Sequence, residues 1–594
     1  MLVVLVPVFT LAFVPDAEKR MDAAVLRQIE TDIAASSNMS PEEKEAELEF
    51  FRRMPISRIM ASWDAPLAPL QEMFAPMRAT YAVFQWMERI AWSCLITVAI
   101  TLLVVGVSVA LSLRSQIAQY RALRIGWPVL RTSAVIQVVG QAVLIVALMY
   151  WAGGLWLNFY VPYLILLPVI IAGYGVHALV KAILRKVEDD HPIPGEVVAK
   201  AAAPELWERI ESIAKALGTD PPDRLVAGIE PSFFVTEHPV TVAGTRLEGR
   251  TLFVSLPMLK IMSVEEADAV LGHELAHFSG EDTLWSRRIS PLLGKFEIYL
   301  QALYSGLFVP VARFMHFFWD LYFLSLRRLR RVREFRADAV GSTVNSPAAM
   351  ARALVKVSSY CDYRTKTEQG IIEKPAVESD LQLASQLEQG YPGFLSAFAS
   401  DGDSMKSGII HPFDAHPPMA ERIRKLGFGT LEILQDAELQ APPQRTWYDA
   451  IQQAGELESV LWAKREDELQ KYHGLAIAYR VLPETEDEIA AVERHFPRLI
   501  FQNAKGDTAT LDYRSLRLST SELEVPFSEI SVMSLEKVND KPQLKITHMT
   551  PDQEKTVTEK FFPCEFLCEE GNLLQLFEKY YGRHTAVRPG ASGK

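Results

Sequence analysis

Residues 263–283 read Ser-Val-Glu-Glu-Ala-Asp-Ala-Val-Leu-Gly-His-Glu-Leu-Ala-His-Phe-Ser-Gly-Glu-Asp-Thr. Ser263 followed by Glu266 is a capping box: a serine N-cap with glutamate three residues on. A helix therefore starts here. It is expected to run to about Phe278 and to end at Gly280. His273 and His277 are four apart and share one face of that helix. Two imidazoles at this spacing can hold one zinc ion. Glu274, beside the first of them, can take a proton from an activated water. A polar helix face carrying two solvated histidines is the bland alternative.

A catalytic zinc site needs a third protein ligand and one open position. The pattern HExxHxxGxxH would supply a third histidine at 283, but that residue is Thr283. An HExxH buried in a membrane span is excluded by Glu265, Glu266 and Asp268 in the same helix. A glutamate on a later helix remains. The candidate is Glu334, in Arg333-Glu334-Phe335-Arg336-Ala337-Asp338-Ala339. Glu334 and Asp338 face the same way, so Glu334 can ligate while Asp338 fixes a ligand histidine through its other ring nitrogen. From spacing alone, Glu334 pairing with neighbouring arginines on an exposed helix fits as well.

The runs GHELAHFSGEDT, REFRADAVG and HPPMAERI occur in that order. Together they resemble the HtpX-like and type 1 CAAX prenyl-protease family of membrane zinc metalloendopeptidases, over roughly residues 203–426. The resemblance implies one zinc per chain, with His273, His277 and Glu334 as ligands and Glu274 as the catalytic glutamate. Asp338 matches the family's later aspartate. His416 matches its late His-Pro-Pro element, near the substrate, where a donor can meet a developing oxyanion. Arg422 matches the arginine that follows, in a supporting or substrate-binding place. His411 is a nearby decoy. One departure is Pro231-Ser232-Phe233-Phe234-Val235, where family members often carry an Asn-Ala-Phe-Ala-like strand.

Around this segment the chain is mixed α+β: membrane helices, a mainly helical zincin-like peptidase domain, and a β-rich C-terminal domain closed by a helix. At 594 residues it needs several structural units. Residues 1–14 are apolar but short for a span, and read as an N-terminal anchor, an interfacial helix or the remnant of a misassigned start. Residues 15–89 read as an extracytoplasmic, partly helical segment with a capping box at Ser40. Residues 90–186 hold three expected spans: one from about Ala91 to Leu113, and two within Ala134 to Leu184, divided near Gly153-Gly154. Arg114, Arg121, Arg124 and Arg131 lie between the first two spans. Lys181, Arg185 and Lys186 follow the third. The positive-inside rule puts both groups, and the peptidase domain (187–427), in the cytoplasm. The expected location is the bacterial inner membrane. Leu300 to Leu326 is apolar but broken by Pro310, Arg313, His316 and Asp320, and reads as an amphipathic hairpin at the membrane surface, the alternatives being two true spans, as the resemblance to HtpX-type proteins implies, or a hairpin that packs on the catalytic core. Its basic end, Arg327 to Arg331, suits anionic headgroups.

Residues 428–472 read as a linker with helices. Residues 473–594 read as β-rich, with strand signals from Leu475 onward and a last helix from Asn572 to Tyr581, faintly resembling a pleckstrin-homology module. The net charge of −12 argues against nucleic acid as a partner. Four scattered cysteines indicate neither a disulfide framework nor a cysteine zinc site. The expected partners are the bilayer and protein or peptide substrates, many of them membrane-associated. The C-terminal domain is a place for substrate, partner or membrane to bind. Two rival readings keep the metal without the reaction: a scaffold with structural zinc, and a zinc sensor.

Overall fold

The structure is a computed structural model. It describes residues 2–62, 67–157, 162–185, 191–305, 309–374, 381–400, 417–519, 523–538, 541–550, 553–561 and 565–587. The fold is mixed α+β, with membrane-spanning helices, a helical core, and a C-terminal β-sheet region followed by a helix.

The N-terminal part is helical. α1 (Leu2–Ala35) is continuous, so the apolar start and the polar stretch after it belong to one element. α2 (Pro41–Arg53) begins at the Ser40 capping box. α3 (Arg78–Ser112) and α4 (Gln116–Ala152) are long and apolar enough to cross a membrane. α4 starts well before the expected Ala134, and only a three-residue turn separates it from α3. Arg121, Arg124 and Arg131 therefore sit on a helix rather than in a loop. A π-turn at Gly153–Leu157 follows, and then α5 (Pro162–Leu184), whose apolar stretch Leu166–Ala182 is shorter. Gln137 and Gln141 are buried on α4. They donate to the carbonyl oxygens of Cys94 (2.7 Å) and Val3 (2.8 Å), which ties α3 and α1 to α4. Interhelical bonds of this kind hold helices together where lipid offers no hydrophobic drive.

The middle part opens with α6 (Pro204–Ala216) and a four-stranded sheet: β1 (Glu196–Val198), β2 (Arg224–Gly228), β3 (Phe234–Thr236) and β4 (Thr251–Ser255). The spatial order is β1-β2-β4-β3, with β2 and β4 parallel and the outer pairs antiparallel. β3, from the stretch that departs from the family pattern, is an edge strand. His191–Ile193 is a short strand paired with Val240–Val242.

Next come α7 (Val264–Ser279), α8 (Asp282–Ser305), α9 (Val309–Val344), α10 (Pro347–Glu373), α11 (Leu383–Ser400) and α12 (Met419–Lys425). α7 is almost wholly buried in the main core with Leu206, Ile210, Leu252 and Val355. Its carboxylates are matched: Glu266 accepts from Lys356 (2.7 Å), and Asp268 from Trp447 (2.8 Å) and Arg209 (2.8 Å). Pairing of this kind is what burial of a charge demands.

The α8–α9 pair corrects the expectation of a surface hairpin. Phe296, Leu303, Val311, Met315 and Phe318 pack into one core with Val98 and Val105 of α3 and Ala134 and Val138 of α4. The apolar face is thus covered by the spanning helices, while Lys295, Arg313 and Asp320 stay exposed. α9 continues past the hairpin as one helix and carries Glu334 and Asp338.

The C-terminal part begins with α13 (Ala454–Arg480) and α14 (Glu486–His495). Residues 475–495, expected to hold strands, are thus largely helical; the Thr485–Glu488 capping box starts the second helix. Antiparallel strands follow: β5 (Leu499–Gln502), β6 (Thr508–Leu511), β7 (Ser515–Leu518) and β8 (Leu523–Pro526), paired in sequence. β9 (Ile530–Val538), β10 (Lys541–Thr550) and β11 (Gln553–Phe561) make a second meander. α15 (Leu573–Val587) closes this core with Leu573, Phe577 and Tyr580.

Candidate metal centre

The site rests on a close crossing of α7 and α9. A Cβ on Gly341 would lie 2.6 Å from the Ala269 carbonyl oxygen and 3.0 Å from the His273 nitrogen. One on Gly272 would lie 2.5 Å from Val344 Cγ2. Glycine at both places lets the backbones approach. Glu334, Asp338 and Gly341 follow at four- and three-residue steps on one helix face, so the crossing brings both carboxylates onto the histidine face of α7.

His273 Nε2 lies 3.6 Å from Glu334 Oε2, and His277 Nε2 lies 3.7 Å from Glu334 Oε1. One donor atom from each of the three residues falls within 4.8 Å of the others. Tetrahedral zinc with bonds near 2.1 Å separates its ligand atoms by about 3.4 Å, so the donor set fits such an ion. Each imidazole also has a carboxylate behind it. His273 Nδ1 lies 2.9 Å from Asp338 Oδ1, and His277 Nδ1 lies 3.0 Å from Asp282 Oδ2. A carboxylate that accepts from Nδ1–H leaves the Nε2 lone pair facing inward, the tautomer a metal requires. His273 and Glu334 are buried, while His277 is partly open to solvent.

Arg422, on α12, reaches Asp338 with Nε at 2.8 Å and Nη2 at 2.5 Å, both buried. Its guanidinium also lies 3.8 Å from Glu334 Oε2. Burial would raise the Asp338 carboxyl, but the hydrogen bonds from Arg422 and His273 outweigh it and hold the group below the usual carboxylate range. Burial would lower the His273 imidazole, but Asp338 and Glu334 outweigh it and lift it to about 9.

Asp282 is a site residue that sequence reasoning misses. Gly280 ends α7, and Glu281 takes a left-handed conformation (φ 56°), turning the chain so that Asp282 folds back onto His277. Arg336 lies across this turn, donating to Asp282 (2.6 Å) and to the Ala276 carbonyl (3.2 Å). A side chain at Gly280 would collide with that guanidinium. Gln116, at the start of α4, donates to the other Asp282 oxygen. The only sequence signal is a carboxylate just beyond the end of a histidine-bearing helix. Glu274 lies between the two histidine positions on α7, largely buried. His416 and His411 lie outside the described residues.

Two histidines from HExxH and a glutamate from a later helix, each imidazole backed by an aspartate, define a metallopeptidase-type centre. Residues 201–427, which contain it, match the model of peptidase family M48. The chain is 25% identical over 292 residues to the protease HtpX homolog of Methanocaldococcus jannaschii, covering 44% of this chain and 85% of that protein. It is 27% identical over 243 residues to the protease HtpX homolog of Gemmatimonas aurantiaca (39% and 77%). With the protease HtpX of Nitrosococcus oceani it shares 25% over 241 residues (37% and 70%). No solved structure matches.

Proposed function

We propose that this integral membrane protein is a zinc metalloendopeptidase that hydrolyses peptide bonds in protein substrates at the cytoplasmic membrane face. The observation that carries the reading is the convergence of His273, His277 and Glu334 with an aspartate against each outer ring nitrogen. These three residues would hold the zinc. When bound, it supplies Lewis acidity toward water and a peptide carbonyl.

The chain's own residues do the rest. Asp338 and Asp282 keep the imidazoles in the metal-binding tautomer, and Arg422 keeps Asp338 ionised and in place. Glu274 takes the proton of the attacking water and returns it to the leaving amine. His416 donates to the oxyanion as the carbonyl becomes tetrahedral. Strand β3, at the sheet edge beside α7, offers main-chain groups with which an extended substrate can pair.

The test compares wild type with Glu274→Gln, purified in detergent, for bound zinc and for cleavage of casein and membrane-protein substrates. The variant is expected to keep its zinc and lose at least about a hundredfold in rate. Zinc in both with cleavage by neither favours a scaffold with structural zinc. No zinc in wild type sinks the proposal.

A further inference from the structure

We propose that the end of the helix bundle nearest the metal centre is a collar that binds anionic phospholipid headgroups, placing the centre directly above the membrane surface. The inference rests on α3 and α4 spanning the bilayer and is independent of proteolysis.

Three helix segments far apart in sequence meet at one level. Gln116 of α4 bonds Asp282 of α8. The Tyr322 hydroxyl of α9 donates to the Gln119 carbonyl (2.9 Å), and Gln119 lies 3.4 Å from the Ser325 hydroxyl. The Tyr120 and Trp285 rings are 5.7 Å apart, and Leu123, Ile289, Tyr322 and Leu326 close a small core. All three segments are basic at this level. Arg114, Arg121 and Arg124 come from α4 and the turn before it, and Arg287 and Arg288 from α8. Arg327 and its neighbour Arg328 come from α9. All of them are exposed. Opposing charge is sparse within these stretches: 113–131 and 321–333 contain no Asp or Glu, and 282–296 contains only Asp282, with Glu281, Glu297 and Asp320 exposed at their edges. Asp282 is buried and already bonded to Arg336.

The collar's height matches a bilayer edge. α3 rises about 30 Å from Trp92 to Ser112, one hydrocarbon thickness. At the far end, Trp86, Trp92, Tyr150 and Trp156 are exposed, an aromatic girdle of the interfacial kind. At the collar end, Arg288 lies over the Trp285 ring and Arg327 over the Phe323 ring, each at 4.9 Å. These rings suit the headgroup region while the guanidinium groups reach phosphate. Between the two ends, α3 exposes Ile96, Ile100, Leu103 and Val107. The basic ring thus continues an apolar, lipid-facing wall, and this favours lipid over a soluble acidic peptide. Because Asp282 bonds His277, the centre stands one side chain from the collar.

Full-length protein in neutral detergent is titrated with phosphatidylglycerol, phosphatidylcholine and inorganic phosphate, and bound ligand is counted by native mass spectrometry. Phosphatidylglycerol is expected to bind in preference to both others. The preference should fall about tenfold or more as salt rises from about 0.05 to 0.5 M. A variant with R121Q, R124Q, R287Q and R288Q is expected to lose about tenfold or more in that binding. A control with R494Q, R498Q, R514Q and R517Q, which loses the same charge elsewhere, is expected to retain it. Equal binding of the two lipids, salt-independent binding, equal loss in both variants, or displacement by equimolar inorganic phosphate each overturns the collar. The wild-type salt series decides the matter should the first variant fail to fold.

Discussion

His277 presents Nε2 toward Glu334 because Asp282 occupies the other side of its ring, and His273 does the same through Asp338. Removing such a partner lowers metal affinity by about 10–100-fold in comparable sites. Asp282→Asn is therefore expected to weaken zinc binding by that order, read by competition with a zinc dye, while the fold persists. Unchanged affinity would mean that the contact does not orient the ring. The His273 imidazole sets the pH dependence. In the metal-free protein it is raised to about 9 from the ordinary value of 6.5. Its charged form thus stabilises the fold fully below about pH 6.5, and that contribution is lost as pH rises through about 9. Zinc needs the neutral ring, so affinity runs the other way, rising about tenfold per unit until near pH 9. An affinity flat between pH 6 and 8 would contradict this. The histidine pair is legible in the sequence because helical periodicity fixes which residues share a face. Asp282 is not, because its reach depends on one left-handed residue and on an arginine from another helix. Glu334 is legible as a candidate, but its distance from the histidines is set by the helix crossing and by no local spacing.

That crossing can be tested at the level of elements. Gly341→Ala would put a methyl against backbone atoms of α7, which cannot swing aside as a flexible side chain would. It is expected to cost about 1–3 kcal/mol of stability through overpacking and to weaken zinc binding, since α7 and α9 must part. Gly370, inside α10, has open space where a methyl would stand, with nothing within 4 Å. Gly370→Ala is expected to stabilise by about 0.4–1 kcal/mol through helix propensity and unfolded-chain entropy. Thermal or chemical denaturation reads both, and the same sign for the two would count against a tight crossing. Element starts are the most readable feature: the capping boxes at Ser40 and Ser263 are both present. Extents are less readable. α4 begins at Gln116 although Arg121 and Arg124 make its first turns polar, because exposed arginines do not interrupt a helix. Residues 475–480 extend α13 because a helix with apolar residues on several sides lacks the clean periodicity that separates it from a strand.

Across the whole molecule, the metal site lies where two hydrophobic cores meet. α7 belongs to the soluble core, whereas α9 runs from the membrane-helix core, past the collar, to Glu334 and Asp338. A ligand set drawn from both helices makes bound zinc a cross-link between the peptidase body and the membrane bundle. Since the three donors converge only in the folded chain, zinc binds the native state preferentially. It should add about 2.7 kcal/mol at a free concentration one hundred times its dissociation constant. Chelation of wild type is therefore expected to lower the unfolding temperature, and zinc to restore it. Glu334→Gln, which removes the donor from α9, is expected to unfold near the temperature of the chelated wild type and to respond far less to chelator. The scale of this effect belongs to the assembly and not to one helix. Proteolysis between α7 and α9 should therefore also accelerate when zinc is withdrawn from wild type, and change little in the variant. If chelation strips the metal yet leaves both the unfolding temperature and the cleavage rate of wild type unchanged, the centre does not brace the two parts, and the crossing at Gly272 and Gly341 suffices to hold them.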